Sequence, residues 1–348
     1  MQYNKKIFSL LCLGLFFCSL HLSAQQTHII NIQSISNQQA INITDNGKPF
    51  TQFLYPDSLE KPVLYPIYAP DGNLITRGFP IAPRSGEPTD HPHHIGLWLN
   101  YEKVNGLDFW NNSFAIPADR KHLYGWIRTN RILQTKNGDK GVLEYSADWT
   151  NQQKSILLKE TTTFIFSADD HERIIDRITT LTAERDVVFE DAKDGLLGLR
   201  VAHELELPSK EARQFVDDKG NITKVPANNN SGVTGNYITS KGKQGDSAWG
   251  TRANWCMLYG KINDDTVSIA IIDHPKNPGH PTYWHARGYG LFAANPLGQK
   301  IFSNGAEQLN FELQKGKSVT FRYRIVIASG KNRLSADEVD KLSKDFKE

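Results

Sequence analysis

Three of the chain's 11 histidines stand together, at His91, His93 and His94, in the stretch Asp90-His-Pro-His-His-Ile-Gly-Leu-Trp98. Three more, His274, His280 and His285, fall in a second dense stretch from Asp273 to Gly298. That stretch opens with the same Asp-His-Pro and also carries Tyr283, Trp284 and Arg287. Imidazole titrates nearest neutrality among the side chains, so it serves as proton acceptor, proton donor or metal ligand. A hydrophobic core does not collect such residue types at random, and the two stretches are expected to meet at one site.

Three chemistries fit these residues. In an extended segment alternate side chains face opposite ways, so His91 and His93 would share a face, with Pro92 stiffening the link. Joined by His285 or His274, they would make a three-histidine site for zinc or another transition metal. The spacing follows no standard metalloenzyme signature, so the cofactor stays open between none and a divalent metal held by histidine. Glycoside hydrolysis generally needs two carboxyl groups flanking the scissile bond. Asp90, Glu102, Asp108 and Asp273 are available but form no recognisable pair.

The third chemistry is abstraction of a proton beside a carboxylate. A uronic acid carries an acidic hydrogen at C5, and its removal can expel the substituent on O4. A departing sugar makes the enzyme a lyase, a departing hydroxyl a dehydratase. The reaction calls for Arg or a metal on the carboxylate, a His or Tyr base, and a second proton donor for the leaving oxygen. His93, His94, Tyr283, His285 and Arg287 supply these types and are the candidate catalytic residues. If their segment is a strand, Tyr283, His285 and Arg287 project from one face. Arg holds a planar carboxylate bidentately, which makes Arg287 the first choice for that group.

Around this set, His91, His274 and His280 are candidate substrate contacts. So are Trp98, Trp110 and Trp284, whose ring faces can stack on sugar C–H groups or simply fill a core. Arg77, Arg200 and Arg252 are either ligand contacts or buried structural forks. His203, between apolar neighbours, lines the pocket or is a satisfied core histidine. Cys256, between Trp255 and Met257, reads as a buried thiol.

The motifs themselves resemble a known family. Asp90-His-Pro-His-His-Ile-Gly-Leu-Trp98, Val104-Asn-Gly-Leu-Asp-Phe-Trp110, Trp249-Gly-Thr-Arg252 and the Asp273–Gly298 stretch are similar to the bacterial "PmoA family", a domain of unknown function. Pro66-Ile-Tyr-Ala-Pro-Asp-Gly72 and Thr76-Arg-Gly-Phe-Pro80 fit as well. The resemblance implies a β-sandwich shaped like sugar mutarotases and some polysaccharide lyases, in a carbohydrate-degrading context. It does not imply methane oxidation, because a membrane oxygenase needs spanning helices and nothing beyond the leader supplies one.

The elements that must position these residues are mainly strands. Thr161–Phe166, Val267–Ile272 and Ser318–Ile327 are rich in β-branched and aromatic residues. In the last, Val319, Phe321, Tyr323 and Ile325 alternate onto one face. A C-terminal helix is expected, capped by Ser335 with Asp337 and Glu338 in its first turn. The polar stretch from Asp217 to Gly245 reads as a long loop or insertion.

Residues 1–24, with Lys5 and Lys6 before an apolar run and Ala24 before Gln25, read as a secretory signal peptide. Residues 25–348 are expected to form one β-sandwich catalytic domain. Cys12 and Cys18 leave with the leader, so a lone Cys256 permits no intrachain disulfide. Lys5 and Lys6 also account for the formal net charge of +2. No basic footprint for nucleic acid remains.

The expectation is therefore an all-β, exported carbon–oxygen lyase or dehydratase on acidic oligosaccharides, in the periplasm or at the cell surface, without stable membrane insertion. The alternatives are a mutarotase-like or hydrolytic sugar enzyme, and a non-catalytic sugar-binding protein.

Overall fold

The computed structural model describes residues 27–210, 213–216, 222–225 and 230–347. The expected leader lies outside the described residues. Two eight-stranded antiparallel sheets dominate. The first runs, edge to edge, Ile30–Ser34, Ala40–Asp45, Lys48–Leu54, Val63–Ile67, Leu97–Tyr101, Gly195–Arg200, Leu291–Asn295 and Tyr283–Arg287. The second runs Asn236–Thr239, Trp255–Ile262, Asp265–Asp273, Ser318–Gly330, Glu172–Ala183, Ile156–Ala168, Gly141–Thr150 and Trp126–Lys136.

Alternation explains how they pack. Phe321, Tyr323, Ile325 and Ile327 all enter the main core, with Val319 packed against it. From the first sheet, Phe53 meets Tyr145 and Phe164 of the second at ring-centroid distances of 4.6 and 6.2 Å, and Phe50 meets Phe166 at 5.7 Å. The expected sandwich is thus observed, with its core between the sheets. The outer face of the second sheet is covered near the chain end by the helix Ala336–Lys347, whose Val339 packs on Trp255, Met257 and Val326. Ser335 caps it as expected: its Oγ accepts from the Glu338 N–H at 3.2 Å, and Glu338 accepts in return from the Ser335 N–H at 2.7 Å.

One expectation needs correcting. The polar Asp217–Gly245 stretch is not all loop, since Ile222–Val225 pairs with Arg213–Val216 and Asn236–Thr239 joins the second sheet. Among the described residues no helix is long and apolar enough to cross a membrane, which says nothing of a β-barrel.

The outer face of the first sheet carries the chemistry. Leu97, Leu99, Leu197, Leu199, Trp284, Ala286, Phe292 and Ala294 point into the main core. By alternation their neighbours Trp98, Asn100, Gly198, Arg200, His285, Arg287 and Ala293 point outward.

Candidate functional site

Register sets the floor of the site. Trp98, Gly198, Ala293 and His285 lie side by side across four strands, and Arg200, Leu291 and Arg287 form the next row. Gly198 has no side chain in that row, and a Cβ there would fall 2.5 Å from Trp98 Cζ2 and 2.8 Å from Trp110 Cη2. The two indoles therefore fill the space over Gly198 and pack together at 5.1 Å. Gly198→Ala is expected to destabilise the protein by about 1–3 kcal/mol through overpacking. Chemical denaturation followed by tryptophan fluorescence would check this; an unchanged midpoint would mean that the floor yields freely.

Above this floor sits the first histidine stretch, in a shape that alternation did not anticipate. Residues 91–94 are not extended. The His94 N–H donates to the His91 carbonyl at 3.0 Å, closing a turn with Pro92 at its second position, where the fixed ring torsion suits it. His91 itself has φ +46°, a left-handed conformation that histidine adopts more readily than most residues. Arg77 holds the turn from inside. Its guanidinium donates to the carbonyls of Pro88, Asp90, His91 and His94 and to Asp90 Oδ1, at 2.7–3.3 Å. Lys61, also buried, donates to the His93 carbonyl at 2.8 Å, and burial draws its ammonium down to about 8.

The turn changes which histidines face which. The rings of His91, His94 and Tyr289 are parallel to within 4°, with centroids 4.9 Å apart for His91–His94 and 4.8 Å for His91–Tyr289. The His93 ring stands edge-on to His94 at 4.2 Å. Only His91 is open: its side chain is 39% exposed, against residue exposures of 9% for His93 and 1% for His94. Burial, reinforced by nearby cations and imidazoles, holds His93 and His94 well below the ordinary imidazole range. They are neutral rings at physiological pH. His94 Nδ1 accepts from Arg200 at 3.4 Å, so Nε2 carries the hydrogen, and this buried donor has no partner among the described residues.

His91 has a defined partner. Its Nδ1 lies 2.9 Å from Asp90 Oδ2, and because a carboxylate only accepts, Nδ1 bears the hydrogen and Nε2 is left as the outward acceptor. The other oxygen of Asp90 is held by two buried arginines, Arg77 at 2.8 Å and Arg200 at 2.7 Å. Arg200 also contacts Glu206 at 3.5 Å, and Glu206 accepts from His203 Nδ1 at 2.9 Å.

The second stretch reaches this cluster through Tyr289. The Arg200 and Arg287 guanidinium carbons lie 5.1 and 5.8 Å from the Tyr289 ring, and Arg287 also lies 5.9 Å from the Trp249 ring. Arg287 is exposed and makes no ion pair among the described residues. It borders a cleft of about 320 Å³, lined also by Pro208, Asp246, Trp249 and Tyr289. Burial, opposed by Arg200, pushes the Tyr289 phenol up to about 12, so it keeps its proton. One strand position back, His285 is covered by Phe302 at 6.0 Å, and burial brings it down to about 3. Its Nδ1 stands 3.5 Å from Asp194 Oδ1, within ion-pair distance but without hydrogen-bond geometry. Burial raises the Asp194 carboxyl to about 6.

Several residues expected to touch a ligand are committed to other partners or to the core. Trp98, Trp110 and Trp284 are fully buried, so none offers a ring face to a ligand; Trp284 donates to the Ala253 carbonyl in the main core. Arg77 is committed to the turn. Tyr283 stacks on Phe302 and donates to Glu307, while Arg252 holds the Gly279 and Pro281 carbonyls and Glu307. His280 is bound to Asp273 at 2.7 Å, and His274 meets Phe346 of the C-terminal helix. The loop 274–282 links the second sheet to the first, and these two histidines stay at its beginning and end. His203 remains in the Arg200–Glu206 network. Tyr289, Glu206, Lys61 and Asp194 went unnoticed in the sequence. Among the described residues no group of three His, Cys, Asp or Glu side chains is arranged to hold a metal.

A family model described as a family of unknown function, DUF6807, matches residues 40–344. No curated protein matches the sequence. Among solved structures, a galactose mutarotase-like protein from Clostridium acetobutylicum is 10% identical, with 86% of this chain and 98% of that chain covered at a TM-score of 0.39. A putative aldose 1-epimerase from Escherichia coli K12 is 8% identical, covering 86% and 99% at 0.37. The GH36 α-galactosidase of Geobacillus stearothermophilus is 12% identical, covering 86% of this chain at 0.36, and the chain spans only 40% of that enzyme's length.

Proposed function

We propose, for a chain that belongs to the DUF6807 family of unknown function, an elimination reaction on a uronate-containing oligosaccharide. The observation that carries this reading is the Asp90–His91 pair: an oriented, solvent-reachable imidazole stacked on a tyrosine that also lines the Arg287 cleft. Arg287 binds the C6 carboxylate, and Trp249 supports the sugar ring. His91 Nε2 takes the C5 proton, the electron pair left behind forms the C4–C5 double bond, and the C4–O bond breaks. The Tyr289 hydroxyl protonates the departing oxygen. His93, His94 and His285, neutral and buried, act as positioning and dielectric groups rather than as the base. The products are an unsaturated uronate and either water or a shortened sugar. The leader is read as sending the protein to the periplasm or cell surface, where such oligosaccharides arrive.

The test is incubation with a panel of uronate oligosaccharides, with ultraviolet absorbance and mass spectrometry of the products. Loss of water without cleavage identifies a dehydratase, and cleavage without added water a lyase. Cleavage with added water, or exchange of anomers alone, would replace the proposal with a hydrolytic or mutarotase-like one.

Arg287→Lys keeps the charge and loses the planar fork. It is expected to lower kcat/KM on a uronate roughly ten- to hundredfold, the weight of charge-assisted hydrogen bonds worth about 1.5–3 kcal/mol. The melting temperature should not move, because the side chain is exposed. A falling melting temperature with intact turnover would make Arg287 structural.

A further inference from the structure

A cleft larger than the one that Arg287 borders lies elsewhere on the molecule. It has a volume of about 550 Å³ and lies on the outer face of the second sheet, at the Trp126–Lys136 edge. Its lining includes Asp57, Trp126, Arg128, Asp148, Asn151 and Gln152, none of which borders the Arg287 cleft.

The sequence builds this cleft by alternation. Ile127 and Trp149 enter the main core, which turns Trp126, Arg128, Asp148 and Thr150 to the opposite face. Register then sets Trp126 opposite Thr150 and Arg128 opposite Asp148. The turn after the Gly141–Thr150 strand brings up Asn151 and Gln152, and the loop carrying Asp57 closes the far side. That loop is fixed by a hydrogen bond from Arg128 to the Leu59 carbonyl. Trp126 is only half-buried, unlike Trp98, Trp110, Trp149, Trp255 and Trp284.

The chemistry of the lining selects its ligand. Asp57 and Asp148 are balanced by Arg128 and by Lys154 at the rim, so the cleft has no net formal charge with which to attract an ion. What remains is the Trp126 ring, one side of which carries the Lys121 ammonium 5.9 Å from its centre, with carboxylate and amide groups around it. That combination suits a saturated sugar ring with apolar C–H faces and a belt of hydroxyls that both donate and accept. A buried oxygen of Asp148, Oδ1, has no hydrogen-bond partner among the described residues. We infer that this cleft is a second saccharide-binding site, taking an uncharged pyranose unit with Trp126 as its platform. The inference does not depend on elimination at the Arg287 cleft.

The test uses the full chain and neutral hexasaccharides of xylose, glucose, galactose and rhamnose, titrated by calorimetry. At least one is expected to bind. Trp126→Ala should weaken that binding by about tenfold, the loss of an aromatic contact and its buried area. Gln152→Ala, at an exposed position, should weaken it severalfold. The His91→Asn variant should bind as the wild type does. The inference is overturned if none of the four sugars binds, if Trp126→Ala and Gln152→Ala both bind normally, or if His91→Asn abolishes binding. The last result would assign the sugar to the other cleft.

Discussion

Replacing His91 by asparagine is expected to lower kcat on a uronate oligosaccharide by about 10²–10⁴-fold, the usual contribution of a general base. Asparagine is the informative substitute, because it tolerates the left-handed backbone that His91 adopts and leaves the turn intact. The melting temperature should therefore hold while turnover collapses. Asp90→Asn should behave differently. It withdraws the carboxylate that orients His91 Nδ1 and also the counter-charge of Arg77 and Arg200, so activity and stability should fall together. Initial rates from the ultraviolet absorbance of the product, with melting curves on the same preparations, separate the two. Retention of more than a tenth of wild-type kcat in His91→Asn would remove His91 from the base role.

The largest effect on stability is expected at Arg200. Its guanidinium is fully buried and lies between Asp90 Oδ1 at 2.7 Å and Glu206 Oε1 at 3.5 Å. Arg200→Leu leaves a buried Glu206 and a half-neutralised Asp90, and breaking such a pair from one side costs about 3–5 kcal/mol. Urea denaturation of the variant gives the number directly. A loss below about 1 kcal/mol, the range of exposed pairs, would mean that water or Arg77 compensates and that the network is softer than its geometry. A double variant, Arg200→Leu with Glu206→Leu, should recover part of the loss, since the buried one of the two carboxylates that Arg200 neutralised is then removed with it.

What the sequence disclosed follows from the period of burial. The Ser318–Gly330 strand was legible because its apolar residues alternate, and the C-terminal helix because Ser335 can cap it and Asp337 and Glu338 suit its first turn. The two histidine stretches were legible as chemistry because no core uses such a mixture. Their internal geometry was not. Reading 91–94 as extended put His91 beside His93, whereas the turn around Pro92 puts His91 parallel to His94. Trp98 and Trp110 read as platforms or, more simply, as core, and both are buried. The decision lies in Gly198, a residue from another strand that only the register brings beneath them. Tyr289 escaped notice because it follows the end of the Tyr283–Arg287 strand, where alternation no longer says which way a side chain points. Arg77 and Arg252 read as ligand contacts or as structural forks, and both are occupied by loop carbonyls. An irregular segment has carbonyls to satisfy, and a single sequence does not show which cation will satisfy them.

The hold of Arg77 on residues 88–94 also bears on the heat and timing of ligand capture. A loop that grips its ligand usually surrenders backbone freedom at that moment, and the surrender appears as an unfavourable entropy and a slow closing step. Here the surrender accompanies folding, because one guanidinium already ties the carbonyls of Pro88, Asp90, His91 and His94 together beneath the loop. The His94 amide should consequently resist solvent exchange as long as the strands do, and open only when they open. Ligand would then meet a rigid imidazole rather than recruit one, and its residence time would be set by the contacts it breaks on leaving, not by the motion of this loop.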